Sequence, residues 1–201
     1  MKKSLLVLAL AAASFAASAS ESNNIGYTHV QLDAVYADTD GGVYPWGAKL
    51  SGSYAFTDNV FATASLGRVE DNDAFGDSDD EYTNKTWSLG IGFNNAIGAN
   101  ADWVSQLAYV RSHQKEEWNG AKFWNEHANG YNLSTGVLGH VTDKLTANAY
   151  LGYEDYNHHY DGNFFADFGM GYAFNQTWSL QGGLKLAEGV DTYTVGVRAS
   201  F

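Results

Sequence analysis

Cysteine is absent from the 201 residues, and proline occurs once. Without thiols there is no disulfide framework and no thiolate metal centre. The 6 His are scattered and show no zinc-ligand spacing. Basic residues are scarce too: 11 Lys and Arg stand against 23 Asp and Glu, a net charge of −12. No basic stripe is present to neutralise phosphates, so nucleic acid is not an expected partner. Charged residues make up 17%, below the ~25% of typical soluble domains. Beyond residue 20 no window holds the ~20 apolar residues that a membrane-crossing helix needs. What the chain does have is glycine, 22 residues, and aromatics at 15%, with Tyr (13) ahead of Phe (11) and Trp (6). The length suits one domain.

The N-terminus reads as an address. Lys2 and Lys3 precede an uncharged apolar stretch from Leu5 to Ala17, and Ala17-Ser18-Ala19 is a small-x-small cleavage signal. The stretch is too short for a retained span and is followed at once by Glu21, Asn23 and Asn24. Residues 1–19 are therefore expected to be a signal peptide cut between Ala19 and Ser20, leaving 20–201 as the mature domain.

Lipid admits one architecture besides the helix, the closed barrel, whose backbone groups are all paired by neighbouring strands. Its signature is a set of roughly 10-residue segments of alternating polarity separated by turns. The mature chain holds ten such segments. Val30, Leu32, Ala34 and Tyr36 alternate with Gln31 and Asp33. Trp46, Ala48, Leu50, Tyr54 and Phe56 alternate with Gly47, Lys49, Ser51 and Ser53. Residues 60–68 are noisier, with Val60, Ala62, Ala64 and Leu66 set against Phe61, Thr63 and Ser65. Trp87, Leu89, Ile91 and Phe93 open the next; Trp103, Leu107 and Tyr109 and then Tyr131, Leu133 and Val137 follow. The last four are the cleanest: 145–154, 164–174, 178–186, and Tyr193, Val195, Val197, Ala199 and Phe201 against Thr194, Gly196, Arg198 and Ser200. Helical spacing fits none of them better.

Connections at 57–59, 142–144 and 175–177 are tight, and 94–101 is longer. Those at 38–45, 71–81, 112–129, 157–163 and 187–191 are generally longer and mostly acidic or aromatic. Short turns on one side and long loops on the other are what outer-membrane barrels show, the short side being periplasmic. A soluble barrel or sandwich shares the period, but its polar face would be charged. Here that face is Gly, Ser, Thr and Asn, while Trp46, Phe56, Trp87, Phe93, Trp103, Phe164, Phe174 and Trp178 sit at segment ends as girdles do. The fold expected is all-β: a ten-stranded antiparallel up-and-down transmembrane β-barrel.

Two inward charge pairs follow from the register. A first loop centred on Gly41 sets Asp33 opposite Lys49; a turn centred on Gln176 sets Asp167 opposite Lys185. Opposite charges on facing strands contribute roughly 0.2–1 kcal/mol. Each pair is expected within salt-bridge reach, filling the interior of a barrel far narrower than open porins.

Other candidate chemistry is weaker. Asp71, Asp73, Gly76, Asp77 and Asp79 have calcium-loop positions, but Phe75 occupies a ligand place and Tyr82 replaces the closing Glu. A solvated acidic loop is the simpler reading. His158, His159 and Asp161, with Asp155 nearby, suggest an acid–histidine couple at the outer rim, and Glu126-His127 is the other candidate. Neighbouring histidines point to opposite sides, so catalysis is not expected. Trp118, Phe123 and Trp124 among Lys115, Glu116, Glu117 and Lys122 read as interface aromatics or as a partner surface.

Residues 46–59 (WGAKLSGSYAFTDN), 152–156 (GYEDY) and 175–186 (NQTWSLQGGLKL) carry a resemblance. Together they are similar to the small proteobacterial outer-membrane β-barrel family once labelled activators of plant immunity or quorum factors. The resemblance implies an outer-membrane barrel without enzymatic activity and carries over no catalytic residue. Tyr193, Val195, Val197, Ala199 and Phe201 also resemble the terminal signal read by the barrel-assembly machinery, and removal of Phe201 is expected to slow insertion.

The reading is an integral barrel of a Gram-negative outer membrane, a monomer with a structural or surface-interaction role. It needs no cofactor and no metal. Its expected partners are outer-membrane lipid, lipopolysaccharide and the assembly machinery. A narrow passive pore is the alternative, and an outer-rim hydrolase stands third.

Overall fold

The computed structural model describes residues 25–72, 80–118, 121–157 and 162–201. The cleavage site at Ala19 and Ser20 lies outside them, as does the rest of the leader.

Ten strands close into one antiparallel barrel in which each is bonded to its sequence neighbours and the first to the last. They are β1 (His29–Thr39), β2 (Trp46–Ala55), β3 (Val60–Asp71), β4 (Glu81–Ala96), β5 (Ala101–Trp118), β6 (Ala121–Thr142), β7 (Leu145–Tyr156), β8 (Asn163–Ala173), β9 (Trp178–Ala187) and β10 (Val190–Ser200). The closing seam pairs His29 with Ser200 and runs to Thr39 opposite Val190. Within the part of the wall that crosses the membrane each strand is bonded on both sides, so no edge is left there to seek another chain.

The two faces divide by parity. The outer surface shows Leu32, Tyr36, Trp46, Leu66, Leu89, Ile91, Leu107, Leu133, Leu151, Met170, Leu180, Val195 and Val197, each between 43% and 68% exposed. In water such a continuous apolar belt would have no cover; hydrocarbon supplies it. Aromatics border it on both sides. Phe93, Trp103, Phe174, Trp178 and Phe201 mark the end carrying both termini; Tyr36, Trp46, Tyr109, Tyr131, Phe164 and Tyr193 mark the other. Two hydroxyls that face outward, Ser105 and Thr135, bond to each other at 2.7 Å, and Thr135 Oγ1 also donates to the Val104 carbonyl at 3.3 Å, so neither presents a free donor to lipid.

The wall differs from the expected one in two regions. Within 112–129, read from the sequence as a loop, residues 112–118 and 121–129 continue the β5–β6 ladder up to Trp118 opposite Ala121. β5 has 18 residues and β6 has 22, whereas about 9–11 suffice to cross a bilayer. Above the aromatic belt neither face of this hairpin meets hydrocarbon, so polar residues stand on both parities and no alternation marks it. The connection expected at 187–191 is likewise shorter, a turn carrying Gly189 at φ 78°. Only a residue without Cβ takes that conformation cheaply.

Candidate functional site: the lumen

The interior has three levels. At the end carrying the termini lies the one apolar cluster among the described residues: Ile25, Tyr27, Ala55, Phe61 and Val104, with Leu138 and Tyr150 against it. The chain ahead of β1 turns into the barrel mouth there. The Tyr27 ring stacks on Phe61 with centroids 4.8 Å apart and planes at 22°. Its hydroxyl donates to Asp102 Oδ2 at 2.8 Å, and Asp102 is fully buried. Phe61 lies flat against Gly92, where any Cβ would collide with the ring. Asn94 Nδ2 donates to the Asp58 carbonyl at 3.1 Å, and Asn59 Nδ2 to the Asn94 carbonyl at 2.9 Å, which ties two turns beneath the plug.

The middle level is polar. Arg198 Nε donates to Gln31 Oε1 at 2.8 Å, and Gln31 Nε2 to Asp33 Oδ1 at 2.7 Å. Across the lumen Asn148 Nδ2 donates to Asp167 Oδ1 at 3.1 Å. Small residues make the room: Gly152 leaves the space that the Phe165 ring fills.

Above that, Lys185 Nζ meets Glu154 Oε2 at 2.6 Å and lies 4.5 Å from the centroid of Phe165. Asn132 Nδ2 adds a donor to the same carboxylate oxygen at 3.3 Å. Higher still, on the projecting hairpin, burial pushes the Glu116 carboxyl above the usual carboxylate range.

The strand register sets Asp33 opposite Lys49 and Asp167 opposite Lys185. The expected ion pairs nevertheless do not form. Among the described residues no salt bridge joins Asp33 to Lys49 or Asp167 to Lys185; the acceptor that Lys185 finds is Glu154. The reason is reach. A carboxylate on a one-carbon stem stays near the wall, whereas the long Lys and Glu side chains span the strand between them.

Several candidates can be placed. Asp71 Oδ2 accepts the Tyr44 N–H at 2.7 Å, while 73–79 fall outside the described residues. So do His158, His159 and Asp161. Glu126 and His127 leave β6 on opposite faces, so they form no couple. Trp124 is 43% exposed, and Lys115 is tied to Glu117 at 2.6 Å. The side chains of Trp118, Lys122 and Phe123 lie outside the described ones. Among the described residues no group of three His, Asp or Glu could hold a metal ion.

Sequence reasoning missed the plug, although the signal was present. Phe61, Tyr150 and Phe165 are aromatic rings on the polar parity. Such a ring in a narrow barrel has only the lumen to fill.

No protein-family model matches the chain, and no curated protein matches it. Among solved structures it is similar to Neisserial surface protein A, at 13% identity over 86% of this chain and 96% of that one, with a TM-score of 0.47. It is similar also to the translocator domain of the autotransporter NalP from Neisseria meningitidis (14%, 100% and 95%, TM-score 0.48). A third is the N-terminal β-barrel domain of Pseudomonas aeruginosa OprF (14%, 88% and 100%, TM-score 0.47). The barrel itself is established by the strand register of this chain, and a shared architecture does not assign a function.

Proposed function

We propose that the chain is a non-conducting, non-enzymatic barrel of a Gram-negative outer membrane that presents its long β5–β6 hairpin at the surface. The observation that carries this reading is the plug: Tyr27, Phe61 and Val104 are at most 6% exposed and fill the mouth beside the termini. Above it, hydrogen-bonded and ion-paired side chains occupy the lumen, which supports a structural role over passage of solutes. The hairpin supports surface interaction, since it extends the ladder well beyond the aromatic belt. Among the described residues no catalytic constellation supports the hydrolase alternative.

Two measurements test the reading. Heat-modifiability on membrane fractions should show a folded barrel that migrates differently before and after boiling. In planar bilayers the protein should give no steady single-channel steps, and Tyr27→Ala with Phe61→Ala should introduce them. Steady steps from the unaltered protein would establish the pore instead.

A further inference from the structure

Four basic side chains stand in one register row on the outside of the barrel. Arg68 on β3 is opposite Lys85 on β4, Lys85 is opposite His113 on β5, and His113 is opposite His127 on β6. Arg111 sits one step nearer the membrane, opposite Trp87. All five have the parity of Leu66, Leu89, Leu107 and Leu133, so they point away from the lumen. With strands about 4.8 Å apart, the row spans roughly 14 Å.

Its height is as telling as its width. The row lies directly beyond the outer aromatics: Trp87 and Tyr109 are in contact at 5.5 Å, and Tyr131 continues the line. Trp and Tyr settle at headgroup level. The row therefore stands where lipid headgroups end and water begins. Leu66, Arg68, Lys85, Trp87, Arg111, His113 and His127 border an outward-opening concavity of about 370 Å³.

Chance does not explain this grouping. The chain carries −12 overall, yet three of its 11 Lys and Arg and two of its 6 His share this patch. Like charges directly opposite on neighbouring strands destabilise a sheet. Arg68 has a partner in Glu70 at 2.6 Å, but that pair is half exposed and weak. His113 and His127 stack ring on ring with centroids 4.0 Å apart. Such a row is stabilised when an anion lies across it.

We propose that this row binds the phosphate groups of the outer leaflet's glycolipid, lipopolysaccharide. The inference rests on the outer-membrane reading above. Arg68, Lys85 and Arg111 supply charge-assisted donors to the phosphates, and the stacked imidazoles extend the donor line along β5 and β6. Below them Leu66, Leu89, Leu107 and Leu133 offer the acyl chains a continuous apolar wall. The occupant is an amphiphile rather than a soluble polyanion because the patch reaches down to Arg111 beside Trp87 and runs straight into the apolar belt. Glu70 shares the next outward row with Thr83 and Lys115, whose ammonium is engaged by Glu117, and Glu81 and Glu117 face each other one row beyond; these carboxylates repel an anion that extends away from the membrane.

The test uses the whole folded protein in uncharged detergent and purified lipopolysaccharide as the probe. The unaltered protein should bind it, and phosphatase-treated lipopolysaccharide should bind at least tenfold more weakly. A triple variant, Arg68→Gln, Lys85→Gln and Arg111→Gln, should lose roughly hundredfold in affinity. Lys144→Gln, on a turn at the opposite end of the barrel, should lose none. Heat-modifiability verifies that each variant is folded; should the triple variant fail to fold, Lys85→Gln alone should still lose about tenfold. Equal affinity for intact and phosphatase-treated lipid overturns the proposal, as does full binding by the folded variants. Saturation of the site by inorganic phosphate at similar concentration would assign it to free phosphate and overturn the lipid source. These outcomes are distinct from failure of the membrane reading, which would show as a protein without heat-modifiability that is released from membranes without detergent.

Discussion

Lys185 passes over Asp167, the residue it faces in the register, and closes on Glu154 two strands away at 2.6 Å. The glutamate side chain is only 14% exposed and the lysine 29%, so each would be poorly solvated without the other. Hydrogen bonds to charged groups contribute about 1.5–3 kcal/mol when one partner is removed. Glu154→Gln should therefore cost roughly that amount in urea unfolding from lipid vesicles. Asp167→Asn, whose one hydrogen bond among the described residues comes from the Asn148 amide, should cost about 1 kcal/mol or less. The reverse order would restore the register partner as the working acceptor.

Phe61 and Gly92 depend on each other in a different way. The phenyl ring occupies the place a Cβ would take, and it is held from the other side by Tyr27. Gly92→Val must displace it, and overpacking of this kind costs about 1–3 kcal/mol. We expect the variant to assemble with a lowered unfolding midpoint and to lose the Tyr27–Phe61 stack. A variant as stable as the parent would mean that the ring has room to move.

The outer face offers the sharpest contrast. Leu89 is 58% exposed near the middle of the apolar belt, while Ser88 beside it points inward and bonds to Ser65 at 2.7 Å. Leu89→Arg should lower stability in lipid vesicles by about 2–4 kcal/mol, the depth-dependent cost of a cation at the bilayer midplane. The same change made at Lys85, four residues higher, adds no new charge and should be nearly neutral. Equal effects at both positions would place Leu89 in water.

The sequence exposes the wall of this protein far better than its contents. Val195 and Val197 on one parity against Gly196 and Arg198 on the other are legible because lipid and lumen impose opposite demands on alternate residues. That demand stops above the belt, so residues 113–118 and 124–129 show no period although their backbones remain paired. Register can be read from turns, and Asp33 opposite Lys49 follows from it. Which charges meet cannot, because the choice of Glu154 over Asp167 depends on stem length and on the Phe165 ring beneath the ammonium. The basic row escapes a linear reading for a related reason. Arg68, Lys85, His113 and His127 are isolated residues in the chain and become neighbours only when the strands align.

Acid should loosen the projecting hairpin through His127. Loss of solvation first, then the charges of His113 and Arg111, holds its imidazole below the ordinary value of 6.5. Among the described residues, Arg111 and His113 face it from β5, where Lys115 is engaged by Glu117. On the other side β7 ends at Tyr156, opposite Gly130. The folded state prefers the neutral ring, so this contribution is present above about pH 6.5 and is lost as the pH falls. Glu116 acts in the opposite sense, since its raised carboxyl favours the folded state as it protonates. His127→Gln separates the two. Amide hydrogen exchange of β5 and β6 in uncharged detergent, taken relative to the intrinsic rate at each pH, should quicken between about pH 7 and pH 5.5 in the parent. In His127→Gln that acceleration should be absent. Phosphorylated glycolipid should suppress it in the parent, because an anion over the row stabilises the imidazolium that the neighbouring cations oppose. Acceleration of equal size in both proteins would move the pH sensitivity to another group.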